Sequence, residues 1–341
     1  MRQALFKTAR ILLFFSAGIF LLVLAFRDIS LQELIEGLRS ANYLWVLLSL
    51  TFASAAFISR TCRWIMLIEP LGYKPSVKNT FYALMTGYLA NFILPRLGEI
   101  TRCGSLNRTD RIPADALLGT VITERIADLL MLLLLALAVL LIQIEFFGDF
   151  FFNNIVIPLH GKASSMLDLS WQFYLFAGSF FVLLIIIYLI LASRLRRFSL
   201  FARSEKIVRQ VVTGMISVFR MDRTGAFILH TLFIWLMYYL MTWALFMALP
   251  ATADLGTAAV LFVLVIGGFG MAAPVQAGIG AYHWIVSVGL GLYDISREEG
   301  LVFATLSHES QALLMIVLGT FSLYMVYTIA RKKTVTWTEQ R

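Results

Sequence analysis

The side chains able to do chemistry in this 341-residue chain are few, and they are clustered. Glu124, Arg125 and Asp128 fall within a five-residue stretch of an otherwise apolar run. On a helix, Glu124 and Asp128 are i,i+4 neighbours and share one face. Arg96, Glu99 and Arg102 follow a helix-breaking Pro95, and His308 and Glu309 are adjacent in the last apolar run. Three kinds of chemistry are open to these groups. A carboxyl in apolar surroundings disfavours its charged form and can carry a proton. An arginine can hold a phosphate through two parallel bonds. The same groups can also pair into a static ion network: Arg125 with Glu99, or Arg96 with Asp128, would then lock neighbouring helices together. We take Arg96, Glu99, Arg102, Glu124, Arg125, Asp128, His308 and Glu309 as the candidate substrate or proton pathway. For His308 a buried, hydrogen-bonded role is an equal alternative.

Other residues read more plainly. Arg60 and Arg63 are expected to anchor the second apolar run, with lipid phosphate as a candidate contact. His283, between Tyr282 and Trp284, reads as interfacial packing. His308-Glu309 opens a zinc-protease pattern, but the position for its second histidine is Ala312. There is no phosphate-binding P-loop or nucleophile elbow. Cys62 and Cys103 are too few for a thiolate metal site or a disulfide framework. The expectation is no catalytic residue, no metal and no cofactor.

The elements that must position these groups follow from composition. Apolar residues make up 60% and charged residues 14%, against about 45–50% and about 25% in soluble domains. Lipid has to serve as solvent, which excludes a soluble enzyme, a disordered tail and a secreted disulfide scaffold. A helix crosses a bilayer with about 20 apolar residues. Six such runs are expected as spans, near 10–27, 43–60, 116–144, 171–193, 226–249 and 301–330. At a helix centre each charge costs at least about 2.5–3.5 kcal/mol unless paired or hydrated. The clustered charges must therefore line one cavity or pair with one another.

Two apolar stretches are broken, 80–101 at Pro95-Arg96-Leu97-Gly98-Glu99 and 257–293 by glycines and Pro274. Loop charge decides their topology, because Lys and Arg gather on the cytoplasmic side. Residues 194–223 carry eight basic and two acidic side chains and are read as a cytoplasmic loop. Both flanks of 80–101 are basic as well, so that stretch is expected to be a re-entrant hairpin from the cytoplasm, with Pro95 and Gly98 at its tip. Both flanks of 257–293 are acidic, which makes it a hairpin from outside, with Pro274, Gly278 and Gly280 at its tip. Residues 28–41 are expected to form an external interfacial helix, with Leu31, Leu34, Ile35 and Leu38 on one face and a capping box at Ser30-Leu31-Gln32-Glu33. Both termini fall inside, and the net charge of +8 is an orientation signal with no nucleic-acid partner implied.

The halves repeat. Thr120-x-x-x-Glu124 precedes Leu129-Leu130-Met131, and Thr305-x-x-x-Glu309 precedes Leu313-Leu314-Met315. The fold expected is an all-α polytopic membrane protein, with about six full spans and two re-entrant hairpins arranged as inverted repeats. It is a single integral domain over 1–341, with halves at about 10–145 and 171–330 joined by an external loop at 145–170. Such repeats place substrate sites at broken helices near the bilayer midplane.

Three motifs carry a family resemblance: Arg60-x-x-Arg63-Trp64, then Asn91-Phe92-Ile93-Leu94-Pro95-Arg96-Leu97-Gly98-Glu99-Ile100-x-Arg102, then Glu124-Arg125-x-x-Asp128. With Pro274-x-x-x-Gly278-Ile279-Gly280-Ala281, they resemble the flippase-like family, also called the lysylphosphatidylglycerol synthase transmembrane-region family. Gln276-Ala277 and His283 depart from its common pattern. The resemblance implies movement of a lipid across the cytoplasmic (inner) membrane. In the full-length synthases this region flips a lipid made by a C-terminal synthase domain, which the sequence lacks, so lysyl transfer is not implied. The expected substrate is a phospholipid or a polyprenyl-phosphate-linked anionic lipid. A second copy of the chain and an envelope-biosynthesis enzyme are the candidate protein partners. The alternatives are a membrane-embedded enzyme acting on lipid phosphate or a lipid-linked sugar, and an envelope-assembly scaffold.

Overall fold

The computed structural model describes residues 15–146 except 17, 28 and 145, together with residues 223–338. The expected span 171–193, the loop 145–170 but for residue 146, the basic segment 194–222 and the first part of the 10–27 run lie outside the described residues. By compactness the chain divides into two units, 1–136 with 218–341, and 137–217. The site described below belongs to the first unit.

Every regular element among the described residues is helical. Apart from helical segments of three or four residues, they are in chain order α1 (18–26), α2 (Leu31–Arg39), α3 (Tyr43–Ile68), α4 (Val77–Ile93), α5 (Leu97–Asp110), α6 (Ala114–Ile142), α7 (Thr224–Ala248), α8 (Thr257–Ala272), α9 (Ala281–Leu290) and α10 (Arg297–Thr338). Among the described residues, four stretches are long and apolar enough to cross a bilayer: Tyr43–Leu71, Ala114–Ile142, Thr224–Ala248 and Arg297–Lys332. They coincide with four of the six expected spans.

The outward surface explains why lipid is needed. On α6, Ile122, Leu129 and Leu133 are exposed, and on α10 Leu313, Val317 and Phe321 are exposed at four-residue intervals. That spacing keeps them on one helical face. Arg63, Arg102 and Glu124 are meanwhile buried. Apolar groups outside and charges inside reverse the arrangement of a water-soluble protein.

Both broken stretches fold back on themselves. Leu94 precedes a proline and is extended (φ −143°, ψ 136°), the region to which a following proline ring steers its neighbour. Arg96 then adopts φ 64° and starts α5. The return path brings Asn91 beside Gly98, whose N–H donates to Asn91 Oδ1 at 2.8 Å. Further along, Gly87 meets both Gly98 and Arg102. At the far end, Ser76 N–H donates to Asp110 Oδ1 at 3.2 Å. The contacting pairs spread symmetrically about the turn, so α4 and α5 are antiparallel. Gly98 is required because any Cβ there would collide with the Gly87 carbonyl and the Asn91 side chain.

Helices α8 and α9 make the second pair, around the break at 273–280. Gly270 faces Tyr282, and Gly289 faces Ile266 and Phe262, which again means antiparallel helices. Gly280 has φ 81°, and a Cβ there would stand 2.7 Å from the backbone nitrogen of Leu22 on α1. Helix α2 carries the expected capping box: Ser30 N–H donates to Glu33 Oε2 at 2.9 Å, and Glu33 N–H donates to Ser30 Oγ at 3.2 Å. A Cβ on Gly37 would lie 2.6 Å from Val302, so α2 rests on α10.

Candidate functional site

Helix α3 differs from the sequence expectation in a way that builds the site. It runs on past Arg60 to Ile68, so Arg60 and Arg63 sit within a continuous helix and turn inward. Three residues apart, they share a face. That face meets α6, where Glu124 and Asp128 also share a face. Arg60 Nη2 donates to Glu124 Oε1, and to Asp128 Oδ2 at 2.8 Å. Arg63 Nη2 donates to Asp128 Oδ1 at 2.6 Å and lies 3.4 Å from Glu124 Oε1. Asp128 is therefore held by Arg60 and Arg63, in place of the Arg96 considered from sequence.

The third arginine comes from the folded-back pair. Arg102, one turn beyond Gly98 on α5, donates from Nη1 to Glu124 Oε2 at 2.8 Å. Its guanidinium stacks over the Trp64 ring at 4.6 Å, a favourable cation–π placement. The Trp64 indole N–H donates to Thr120 Oγ1 at 2.8 Å, one turn before Glu124. Arg60 Nη1 also donates to the Tyr238 hydroxyl at 3.1 Å, and Arg63 Nη1 to Thr231 Oγ1 at 3.3 Å, which ties α7 into the network.

Three guanidinium groups thus face two carboxylates. Desolvating each ion costs several kcal/mol, which only close pairing offsets. The cluster nevertheless retains one positive charge in excess. Its pairing is also incomplete: Nε and Nη2 of Arg102 and Nε of Arg60 and Arg63 are buried without an acceptor. The arrangement can accept a further anion, a phosphate oxygen being well matched to the guanidinium fork.

The other candidates stand nearer the surface. Arg125 Nε lies 3.4 Å from Glu99 Oε1, with both side chains partly exposed, which is the pairing expected as a lock between α5 and α6. Arg96 is exposed at the break, and no acid among the described residues pairs with it. Pro95 and Gly98 form the first break and its packed edge, and Pro274, Gly278 and Gly280 fall in the second.

His308 and Glu309 lie apart from the arginines, and the structure adds His283 to them. The sequence reading of His283 as interfacial packing does not hold, because it is 2% exposed and its Nε2 stands 3.5 Å from Glu309 Oε1. His308 Nδ1 is 2.9 Å from the same oxygen, and His308 Nε2 is 2.9 Å from the Ala277 carbonyl. His283 lies 25 positions before His308, too far for a local motif to reveal the contact. The repeat gives a hint, since in each half the glutamate of the Thr-x-x-x-Glu motif meets a basic side chain from the second helix of the preceding pair.

An exposed apolar exterior around buried, paired charges defines an all-α integral membrane protein. Within that class, the chain belongs to the family described as the lysylphosphatidylglycerol synthase TM region, which matches residues 8–319. It is also similar to the UPF0104 membrane protein MJ1595 of Methanocaldococcus jannaschii, 30% identical over 133 residues. That stretch spans 38% of this chain and 39% of the relative.

Proposed function

We propose that this membrane protein moves an anionic lipid between the leaflets of the cytoplasmic membrane, as a flippase-like transporter. The observation that carries this reading is the buried arginine set, with one positive charge in excess and with Arg102 Nη2 lacking an acceptor. Arg96 and the Arg125–Glu99 pair mark the exposed approach. A phosphate-bearing head group enters there and competes with Glu124 and Asp128 for Arg60, Arg63 and Arg102. The acyl or prenyl chains stay in lipid, against the exposed apolar faces of α6 and α10. Exchange of one anion for another keeps every buried guanidinium paired, which avoids the cost of an isolated buried charge.

The two antiparallel helix pairs support a re-entrant, inverted-repeat arrangement, with both termini cytoplasmic. In this reading the breaks at Pro95 and Pro274 approach the midplane from opposite sides, and irregular backbone survives at that depth because protein covers it.

The test is reconstitution of the purified protein in vesicles carrying a head-group-labelled anionic phospholipid or polyprenyl phosphate. Faster leaflet exchange than in protein-free vesicles, lost in Arg102→Gln, is the expected result. Correctly folded protein that exchanges none of these lipids would count against the proposal. Chemical alteration of the lipid would point to an embedded enzyme.

A further inference from the structure

The second half of the molecule holds a cluster that the lipid reading does not use. The imidazoles of His283, on α9, and His308, on α10, are buried, while the Glu309 side chain is 56% exposed at their edge. One ligand atom from each lies within 4.8 Å of the other two.

The hydrogen-bond chemistry fixes what these atoms present to each other. The Ala277 carbonyl can only accept, so His308 Nε2 carries its hydrogen. In the neutral ring the Nδ1 lone pair then points at Glu309 Oε1, 2.9 Å away. His283 Nε2 faces the same oxygen at 3.5 Å, and its Nδ1 has no partner. Two ring nitrogens and a carboxylate oxygen, each able to act as a ligand atom, converge on one small space. A hydrogen on His283 Nε2 satisfies its contact as a hydrogen bond, whereas a cation in that space would draw on all three atoms at once.

We propose that His283, His308 and Glu309 form a binding site for a zinc-class divalent cation, a function separate from lipid movement. Two histidines and one glutamate are a ligand set that zinc uses when a fourth position stays open. Tetrahedral ligands about 2.0–2.1 Å from the ion stand about 3.4 Å apart. The 3.5 Å separation meets this directly, and small side-chain rotations bring in the rest. The His308 Nε2 bond to Ala277 is the outer contact that ligating histidines make, fixing tautomer and ring direction. The exposed edge at Glu309 supplies an entry path. Bound metal joins α9 to α10 and, through Ala277, holds the second break against α10. Ala277 has φ 47° there, a conformation that needs outside support in a residue bearing a Cβ.

The experiment titrates zinc chloride into chelator-stripped, detergent-purified protein by calorimetry, with metal content and thermal unfolding followed in parallel. One zinc per chain and a raised unfolding temperature are expected. His283→Gln, His308→Gln and Glu309→Gln should each weaken binding at least tenfold and remove the thermal shift. His230→Gln, outside the cluster, should leave both unchanged. Cobalt in place of zinc should give the intense visible absorption of a tetrahedral site in the natural chain and lose it in Glu309→Gln. Folded protein that binds neither metal overturns the proposal and leaves the cluster as two histidines hydrogen-bonded to Glu309. Binding that persists equally in all three variants also overturns it, as adventitious metal.

Discussion

Arg102 Nη1 donates to Glu124 Oε2 at 2.8 Å, with both side chains buried, and this bond fastens the first folded-back helix pair to α6. Glu124 is simultaneously the partner of Arg60 and lies near Arg63. A single carboxylate thereby joins three helices around one charge.

Removing that carboxylate should be severe. Glu124→Gln leaves three buried guanidinium groups sharing Asp128. A loss of about 3–5 kcal/mol is expected, the size seen when one partner of a buried pair is deleted. Thermal unfolding in detergent measures it. The double change Arg102→Met with Glu124→Gln should recover part of the stability without restoring lipid exchange. Recovery of exchange in the double variant would mean that the cluster is structural only.

The close approach of Gly98 to Gly87 gives a second prediction. Gly98→Ala must push α4 and α5 apart, at about 1–3 kcal/mol, the usual cost of forcing extra atoms into a packed contact. Gly104→Ala, on the same helix but facing open space, should be neutral or slightly stabilising. Paired unfolding measurements on the two variants check the packing directly.

Acid should loosen α2 first. Hydrogen bonds from the Ser30 backbone N–H and then its hydroxyl hold the Glu33 carboxyl below its ordinary value. A carboxyl with a depressed folded value contributes stability above its unfolded value and loses it as pH falls through the folded one. The protection of the amides of residues 31–34, relative to their intrinsic exchange rates, should therefore fall below about pH 4, near the reference value of a glutamate. Glu33→Gln should abolish that pH dependence.

Thiol labelling can test both burial and topology. Cys103 is buried and should stay unreactive in folded protein. With both native cysteines replaced by serine, Asn107→Cys at the end of α5 and Gly72→Cys after α3 occupy exposed positions. A re-entrant first pair requires the two to label from the same side of the membrane. The turn discriminates: Arg96→Cys, at the exposed break between α4 and α5, labelling freely from the opposite side would mean that both helices cross the bilayer fully and would falsify the re-entrant arrangement.

Much of the fold was legible in residue order. Apolar run length located four long helices, since span length is a one-dimensional property. Pro95 and the glycines of 267–280 marked the breaks, because backbone restriction is local. Ser30 and Glu33 announced a cap that depends on residues three apart. The charged residues were legible as a set, because charge in an apolar run is costly wherever it lies.

Their partners were another matter. Position alone set Arg60 at the end of a span and His283 at an interface. The tertiary structure extends α3 to Ile68, turns Arg60 and Arg63 onto Glu124 and Asp128, and brings His283 to Glu309. The reason is physical. Burying a charge has a cost that sequence reveals, but its neutralisation depends on distance and direction between helices far apart in the chain. Sequence by itself determined that these charges need partners inside a membrane protein; only packing decided which ones they have.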